Sequence, residues 1–260
     1  MNVDIYLQEF VADWRLLGRS SATAEIYRAY IREVVADADP TTITVSHVKI
    51  WLAEAPSAET ARYRARAVRA FGRWSAANDG PAWPWAASVP LAATPPKPQP
   101  TVTPEQYRSV VGRAKSLRDR TVIELLWATG LRVSELARVK VEDVDVLGGY
   151  VTVPRAKAGR PRVVPLTDAA ARACRRQMGG RQHGSLLGMS PHAIQLLLRR
   201  LSAPTAHAWR RGWAVHALRH GVSEASVRAA AGWSSGTMVA RYTSAVSGDL
   251  AIAEFQRAAR

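Results

Sequence analysis

Tyr242 stands nine residues after Trp233, near the end of a 260-residue chain with a formal net charge of +15. Far upstream lies Thr129-Gly130-Leu131-Arg132-Val133-Ser134-Glu135-Leu136, and Lys157 sits isolated between two short apolar runs. His207-Ala208-Trp209-Arg210 follows later in the chain. A phenol, a lysine, a histidine and two arginines, with no cluster of metal ligands beside them, suit attack of a phenol on a phosphodiester. Guanidinium forks would hold the charge that builds on the phosphoryl oxygens. Each residue alone has a plainer reading. A lone tyrosine on an apolar helix is usually core, and Arg132 with Glu135 is an ordinary i,i+3 ion pair.

As a set these motifs point further. The second half of the chain resembles the catalytic domain of the tyrosine recombinases, the family of phage integrases and Xer proteins. The segment 129–136 matches that family's first box. Ala156-Lys157-Ala158-Gly159-Arg160-Pro161-Arg162-Val163-Val164-Pro165-Leu166 resembles its β-hairpin, with alanines 156 and 158 in place of glycines. Gly18-Arg19-Ser20-Ser21-Ala22-Thr23, with Tyr27, is similar to a segment of its helical core-binding domain. The resemblance implies a catalytic set of Arg132, Lys157, His207, Arg210, Trp233 and Tyr242. Tyr242 would be the nucleophile, forming a 3′-phosphotyrosyl intermediate. Lys157 would protonate the departing 5′ oxygen, and Glu135 would orient Arg132. Trp233 would replace a second histidine; an indole N–H donates a hydrogen bond but carries no proton. Arg160 and Arg162 are expected to touch phosphates or stay solvated. No cofactor or metal is expected.

The histidine–arginine pair has a rival. His216-Ala217-Leu218-Arg219-His220 looks like the same box, but Arg219 falls only 14 residues before Trp233. That is short for the intervening helix and turn. Counted from His207, the run to Tyr242 fits the family pattern without a gap, so His207/Arg210 is the preferred pair and His216/Arg219 the alternative. The departure there is Trp209 and Arg211, where Leu and His are common.

The elements that must position these residues are mostly helical. The expected fold class is mainly α with a small β-sheet. A helical core-binding domain spans 1–93, a Pro-rich linker 94–101, and a mixed α/β catalytic domain 102–260 with a C-terminal tail helix. Four prolines between Pro95 and Pro100 mark the boundary. Ile5, Phe10 and Trp14 mark the first helix face, and Gly18 ends it. Ser20 or Ser21 could cap a second helix carrying Ile26, Tyr27, Tyr30 and Ile31. Thr44-Val45-Ser46 leads into a third helix, and Ser57-Ala58-Glu59-Thr60 opens a fourth with Ala67, Phe71 and Trp74. Arg62, Arg64, Arg66, Arg69 and Arg73 on the fourth are read either as a solvated face or as contacts to a DNA backbone. Thr103-Pro104-Glu105-Gln106 predicts a capped start. A helix then runs from Asp119 to Thr129 and stops at Gly130. Strands are expected at Val144–Leu147, Tyr150–Val153 and Arg162–Leu166, with Gly148-Gly149 as a turn. The remainder reads as helix, including Ile194, Leu197, Leu198 and Leu201 at i, i+3, i+4, i+7.

Charge locates the expected partner. Residues 1–93 carry ten Lys/Arg and ten Asp/Glu, so the whole excess lies in residues 94–260. A polyanion should therefore meet the second half, and double-stranded DNA attachment or core sites are the expected partner. The resemblance adds a homo-oligomer, four protomers on two sites, with a possible accessory DNA-bending or directionality factor. It also likens Leu250–Phe255 to a terminal helix docking on a neighbour. One cysteine, Cys174, excludes an internal disulfide. No signal peptide or membrane-length apolar run is read, so a cytoplasmic, nucleoid-associated protein with a Xer-like layout lacking an arm-binding domain is expected. Two other readings stay open: a type IB topoisomerase-like nicking-resealing enzyme, and a non-catalytic DNA-binding or architectural protein.

Overall fold

The computed structural model describes residues 3–36, 38–78, 80–93, 99–154, 161–233, 248, 251–252 and 255–256. The chain divides into two compact units, Met1–Lys97 and Pro98–Arg260.

The first unit is helical: α1 (Val3–Leu16), α2 (Ser21–Val35), α3 (Val45–Ala53) and α4 (Ala58–Ala77). Hydroxyl caps set two of the starts. Thr44 accepts from the His47 N–H and Ser57 from the Thr60 N–H. Ser20 is the N-cap of α2, but its side chain makes no capping bond. Leu7, Phe10, Ile31, Val48 and Phe71 form the centre, with the Phe10 and Phe71 rings edge-on at 5.7 Å. Two expected core residues lie outside it: Ile5 and Ile26 are exposed, off the stripes that Leu7, Phe10 and Val11 make on α1 and Tyr27, Ile31 and Val34 on α2.

The arginine row on α4 is largely structural. Arg64 is buried, donates to the Trp51 carbonyl at 2.9 Å, pairs with Glu33 and stacks over the Trp51 ring. Arg62 donates to the Ala92 carbonyl at 3.1 Å and Arg69 to the Val89 carbonyl at 2.8 Å. These three therefore tie α4 to the chain that follows it and to α3. Arg64 is thus no part of a solvated face, whereas Arg66 and Arg73 of the same row are exposed.

The second unit contains α5 (Pro104–Arg113), α6 (Leu117–Thr129), α7 (Val133–Leu136), β1 (Val144–Asp145), β2 (Tyr150–Val153), β3 (Arg162–Pro165), α8 (Asp168–Met178), α9 (Pro191–Arg200), α10 (Ala206–Arg219) and α11 (Glu224–Ala231). Both bonds of the Thr103–Gln106 capping box form. Helix α6 is buried from Thr121 through Thr129 and packs against α5, α8 and α10. A helix buried on every side lies at the centre of its unit, and its buried Glu124 accepts from the Tyr107 hydroxyl at 2.7 Å. The strands make an antiparallel sheet in the order β1-β2-β3, with Val151 opposite Val164 and Val153 opposite Arg162. Strand β3 lies against α6 and α11. Ile194, Leu197, Leu198 and Leu201 are all buried. Cys174 is buried on α8, and burial pushes its thiol up to about 12, which leaves it unreactive.

Candidate active site

Gly130 closes α6 in the left-handed conformation, φ 56°, with its N–H on the Leu126 carbonyl. A Cβ at this position would lie 2.6 Å from ring carbons of Trp213 on α10. The glycine thus lets the chain reverse tightly against α10 and delivers Arg132 to the start of α7. Gly130→Ala is expected to cost about 1–2 kcal/mol for the left-handed backbone and about 1–3 kcal/mol more for overpacking against Trp213. A thermal melt checks this; a melting temperature equal to wild type would show that the turn tolerates a side chain.

Glu135, one turn after Arg132, uses both carboxylate oxygens to hold it. Oε2 accepts the Arg132 backbone N–H at 2.9 Å and Oε1 accepts Arg132 Nη1 at 2.9 Å. The Arg132 side chain is 39% exposed and Glu135 is buried. Among the described residues no hydrogen bond occupies Arg132 Nε or Nη2, so the fork keeps donors for an outside anion. Burial would push the Glu135 carboxyl up. The Arg162 hydrogen bond and charge, together with the Arg132 N–H, outweigh it, and the group lies below the usual carboxylate range.

Helix α10 brings a second fork. Its N-cap Thr205 accepts from the Ala208 N–H, and Trp209 is fully buried against Tyr107 and Trp127. Arg210 is 4% exposed, donating from Nη1 to the Gly130 carbonyl at 2.7 Å and from Nη2 to the Ala231 carbonyl at 2.6 Å. It thereby joins the Arg132 turn to the last turn of α11, where a cation also suits the helix dipole. Gly232 ends α11 with φ 65°, and the chain passes into Trp233, whose ring lies 5.1 Å from the Arg210 guanidinium carbon. His207 lies one turn before Arg210. Its pKa is lowered, first by burial and then by the guanidinium groups of Arg211, Arg210 and Arg132. At neutral pH it is therefore a neutral imidazole, able to accept a proton.

The four expected residues that can be described, Arg132, His207, Arg210 and Trp233, thus gather in one place. Lys157 and Tyr242 lie outside the described residues, as do Arg160 and residues 250, 253 and 254 of the segment 250–255. His216 and Arg219 lie elsewhere. Nine residues at roughly 100° each place them on the opposite side of α10 from His207 and Arg210. His216 packs against Trp127 and His220, and the charges acting on it are those of His220 and Arg219. Arg219 is exposed.

Arg162 departs from its expected role. Its side chain is 8% exposed, not solvated, and it donates to Glu135 and to the Ala230 carbonyl. Strand alternation was the available signal: Arg162 shares a face with buried Val164, whereas Val163 between them is 53% exposed. Among the described residues, no three His, Cys, Asp or Glu side chains are grouped to hold a metal ion, and no helix is long and apolar enough to cross a membrane.

Comparison with known proteins fits this geometry. The model of the phage integrase family matches residues 100–247, more than half of the chain. The tyrosine recombinase XerA of Saccharolobus solfataricus is 24% identical over 271 residues, covering 95% of this chain and 90% of that protein. XerA of Pyrococcus horikoshii is 28% identical over 138 residues, 47% of this chain, which spans only 48% of that relative's length. Among solved structures, a lambda integrase dimer bound to a COC′ core site superposes with a TM-score of 0.77 at 20% identity, over 93% of this chain and 95% of that one. At that identity the likeness concerns the fold alone. With the family match and the fold agreeing, this chain belongs to the phage integrase family, that of the tyrosine recombinases.

Proposed function

We propose that this chain is a site-specific DNA recombinase, of the phage or mobile-element integrase kind, that cleaves and rejoins duplex DNA through a 3′-phosphotyrosyl intermediate. The observation that carries this reading is the convergence of Arg132, from the start of α7, with His207 and Arg210 of α10, where Arg210 holds the Gly130 carbonyl of the turn that leads to Arg132. Arg132 and Arg210 hold the non-bridging oxygens of the scissile phosphate, where planar forks match the geometry and stabilise the pentavalent transition state. His207 accepts the phenolic proton of Tyr242 or holds a phosphoryl oxygen. The Tyr242 oxygen bonds to phosphorus as the bond to the 5′ oxygen breaks, and Lys157 donates a proton to that leaving oxygen. Attack of a free 5′ hydroxyl on the phosphotyrosyl bond reverses the step. The bond energy stays in the covalent link, so this scheme calls for no nucleotide or metal.

Lambda integrase has been solved as a dimer on a core site and as a tetramer on a Holliday junction. By the same logic this chain pairs two DNA sites as a tetramer. An accessory DNA-bending factor would set direction.

The test is covalent capture. Wild-type protein is incubated with a pool of nicked duplexes of randomised sequence, so that the short cleaved fragment diffuses away and traps the adduct. A denaturing gel should retain a protein–DNA band, and its DNA identifies the site. Absence of any adduct would sink the recombinase reading. Binding to the recovered duplex should weaken about 10³–10⁵-fold between about 50 and 200 mM salt, as expected for roughly 6–10 phosphate contacts. An anisotropy titration indifferent to salt would oppose a phosphate-dominated interface.

A further inference from the structure

Arg162 lies on β3, outside the set that would touch phosphate, yet it reaches both halves of the site. Its Nη2 donates to Glu135 Oε2 at 2.8 Å and its Nε to the Ala230 carbonyl at 2.7 Å. Glu135 therefore stands between two arginines, Arg132 through Oε1 and Arg162 through Oε2. The neighbouring carbonyl, that of Ala231, is held by Arg210. Two guanidinium groups thus grip consecutive carbonyls at the end of α11 and connect them to the turn that carries Arg132. The chain crosses directly over Arg162 as it turns towards Trp233, since a Cβ on Gly232 would lie 3.2 Å from Arg162 Cδ and Nε. Arg162 Nη1 is buried without a hydrogen-bond partner among the described residues. A buried ion pair is a poor stabiliser beside apolar packing, so stability alone is a weak reason for an arginine here.

Charge arithmetic gives the arrangement a purpose. Arg132 and Glu135 alone form a neutral pair, and an arriving phosphate would have to compete with Glu135 for the fork. Arg162 supplies a second cation to the same carboxylate, so the three groups together keep one net positive charge. That charge resides at Arg132, the member of the three that is exposed. We infer that Arg162 is a positioning residue of the strand-cleavage reaction, acting through Glu135 so that Arg132 meets the scissile phosphate oriented and as a net cation. This inference rests on the recombinase reading and on Arg132 as a phosphate-binding arginine.

The experiment uses full-length protein and the duplex recovered from wild-type adducts. Single-turnover cleavage at saturating DNA, Kd and thermal melting are measured for Arg162→Met, Arg162→Lys and the double variant Glu135→Gln/Arg162→Met. Arg162→Met should cleave roughly 10- to 100-fold more slowly, a loss typical of removing a group that orients a ligand-binding side chain. Its Kd should stay within about threefold of wild type, because one buried side chain adds little to a multi-phosphate interface. Arg162→Lys keeps the cation and should recover most of the rate. The double variant removes a further contact but restores the net charge at Arg132, with the Gln oxygen still accepting the Arg132 N–H, and it should also recover most of the rate.

A merely structural Arg162 predicts the opposite order, the double variant being as slow as Arg162→Met or slower. That outcome, or a wild-type rate in folded Arg162→Met, would overturn the inference. Should Arg162→Met fail to fold, the double variant decides alone: cleavage near the wild-type rate supports charge balance, and cleavage as slow as expected for Arg162→Met overturns it. A wild-type protein that forms no adduct would remove the recombinase reading itself, which sets that failure apart from a failure of Arg162.

Discussion

Tyr242→Phe protein is expected to form no covalent DNA adduct while binding the duplex almost as tightly as wild type. The change removes one oxygen and keeps the ring, so the side chain's size and shape are nearly unchanged. The missing atom is the nucleophile itself, and a phenyl ring offers nothing that can bond to phosphorus. On the proposed function, affinity would rest on many phosphate contacts summed over the basic second half of the chain, where the whole +15 excess resides. Loss of one hydroxyl should change Kd by less than about tenfold, corresponding to a single hydrogen bond of about 0.5–1.5 kcal/mol. The check is the nicked-duplex capture on a denaturing gel beside a native-gel titration. A covalent band that persists in Tyr242→Phe would remove Tyr242 from the nucleophile's role and turn attention to another residue of the same unit.

Arg210 and Arg219 should separate widely under the same substitution. Arg210→Ala is expected to lower cleavage by about 10²–10³, the usual cost of one preorganised charge-stabilising donor. Its burial adds a structural complication, because the Gly130 and Ala231 carbonyls would each lose a charged partner, at about 1.5–3 kcal/mol per bond. Arg210→Lys answers this. It keeps a buried cation near both carbonyls but cannot grip a phosphate with a planar fork, so it should melt closer to wild type and still cleave slowly. Arg219→Ala removes an exposed cation from the last turn of α10, where the helix dipole contributes about 0.3–1 kcal/mol, and should leave the cleavage rate unchanged. Melting curves and DNA affinity must accompany each rate. If Arg219→Ala were inactive and Arg210→Lys active, the paired residues on the opposite face of α10 would be the true site. Equal, mild losses in both would oppose the strand-cleavage mechanism.

Much of the architecture is written locally and can be read before any coordinates. The Thr103–Gln106 capping box, the left-handed stops at Gly130 and Gly232, and the helical spacing of Ile194, Leu197, Leu198 and Leu201 depend on neighbours within one or two turns. The spacing of 23 residues from Arg210 to Trp233, against 14 from Arg219, likewise follows from how many residues a helix and a turn consume. The strands were visible as short apolar runs, although β1 closes at Asp145 and not at Leu147, because pairing with β2 supports only two residues there.

Which side of an element faces inward is a different kind of question. Part of the answer still lies in spacing: Leu7, Phe10, Val11 and Trp14, like Tyr27, Tyr30, Ile31 and Val34, fall at i, i+3, i+4, i+7, and Ile5 and Ile26 lie off those stripes and are exposed. The arginines of α4 look equivalent in the chain, yet Arg62, Arg64 and Arg69 each find a partner 13 to 31 residues away. Arg162 shows the limit most plainly. Its sequence context is that of a basic hairpin, and its partners Glu135 and Ala230 lie 27 and 68 residues distant. The residue types, their order and the chemistry they can perform were determined by the sequence alone. Which arginine meets solvent and which is buried to hold another in place were decided by tertiary packing, because burial and long-range hydrogen bonds depend on segments that no local pattern brings together.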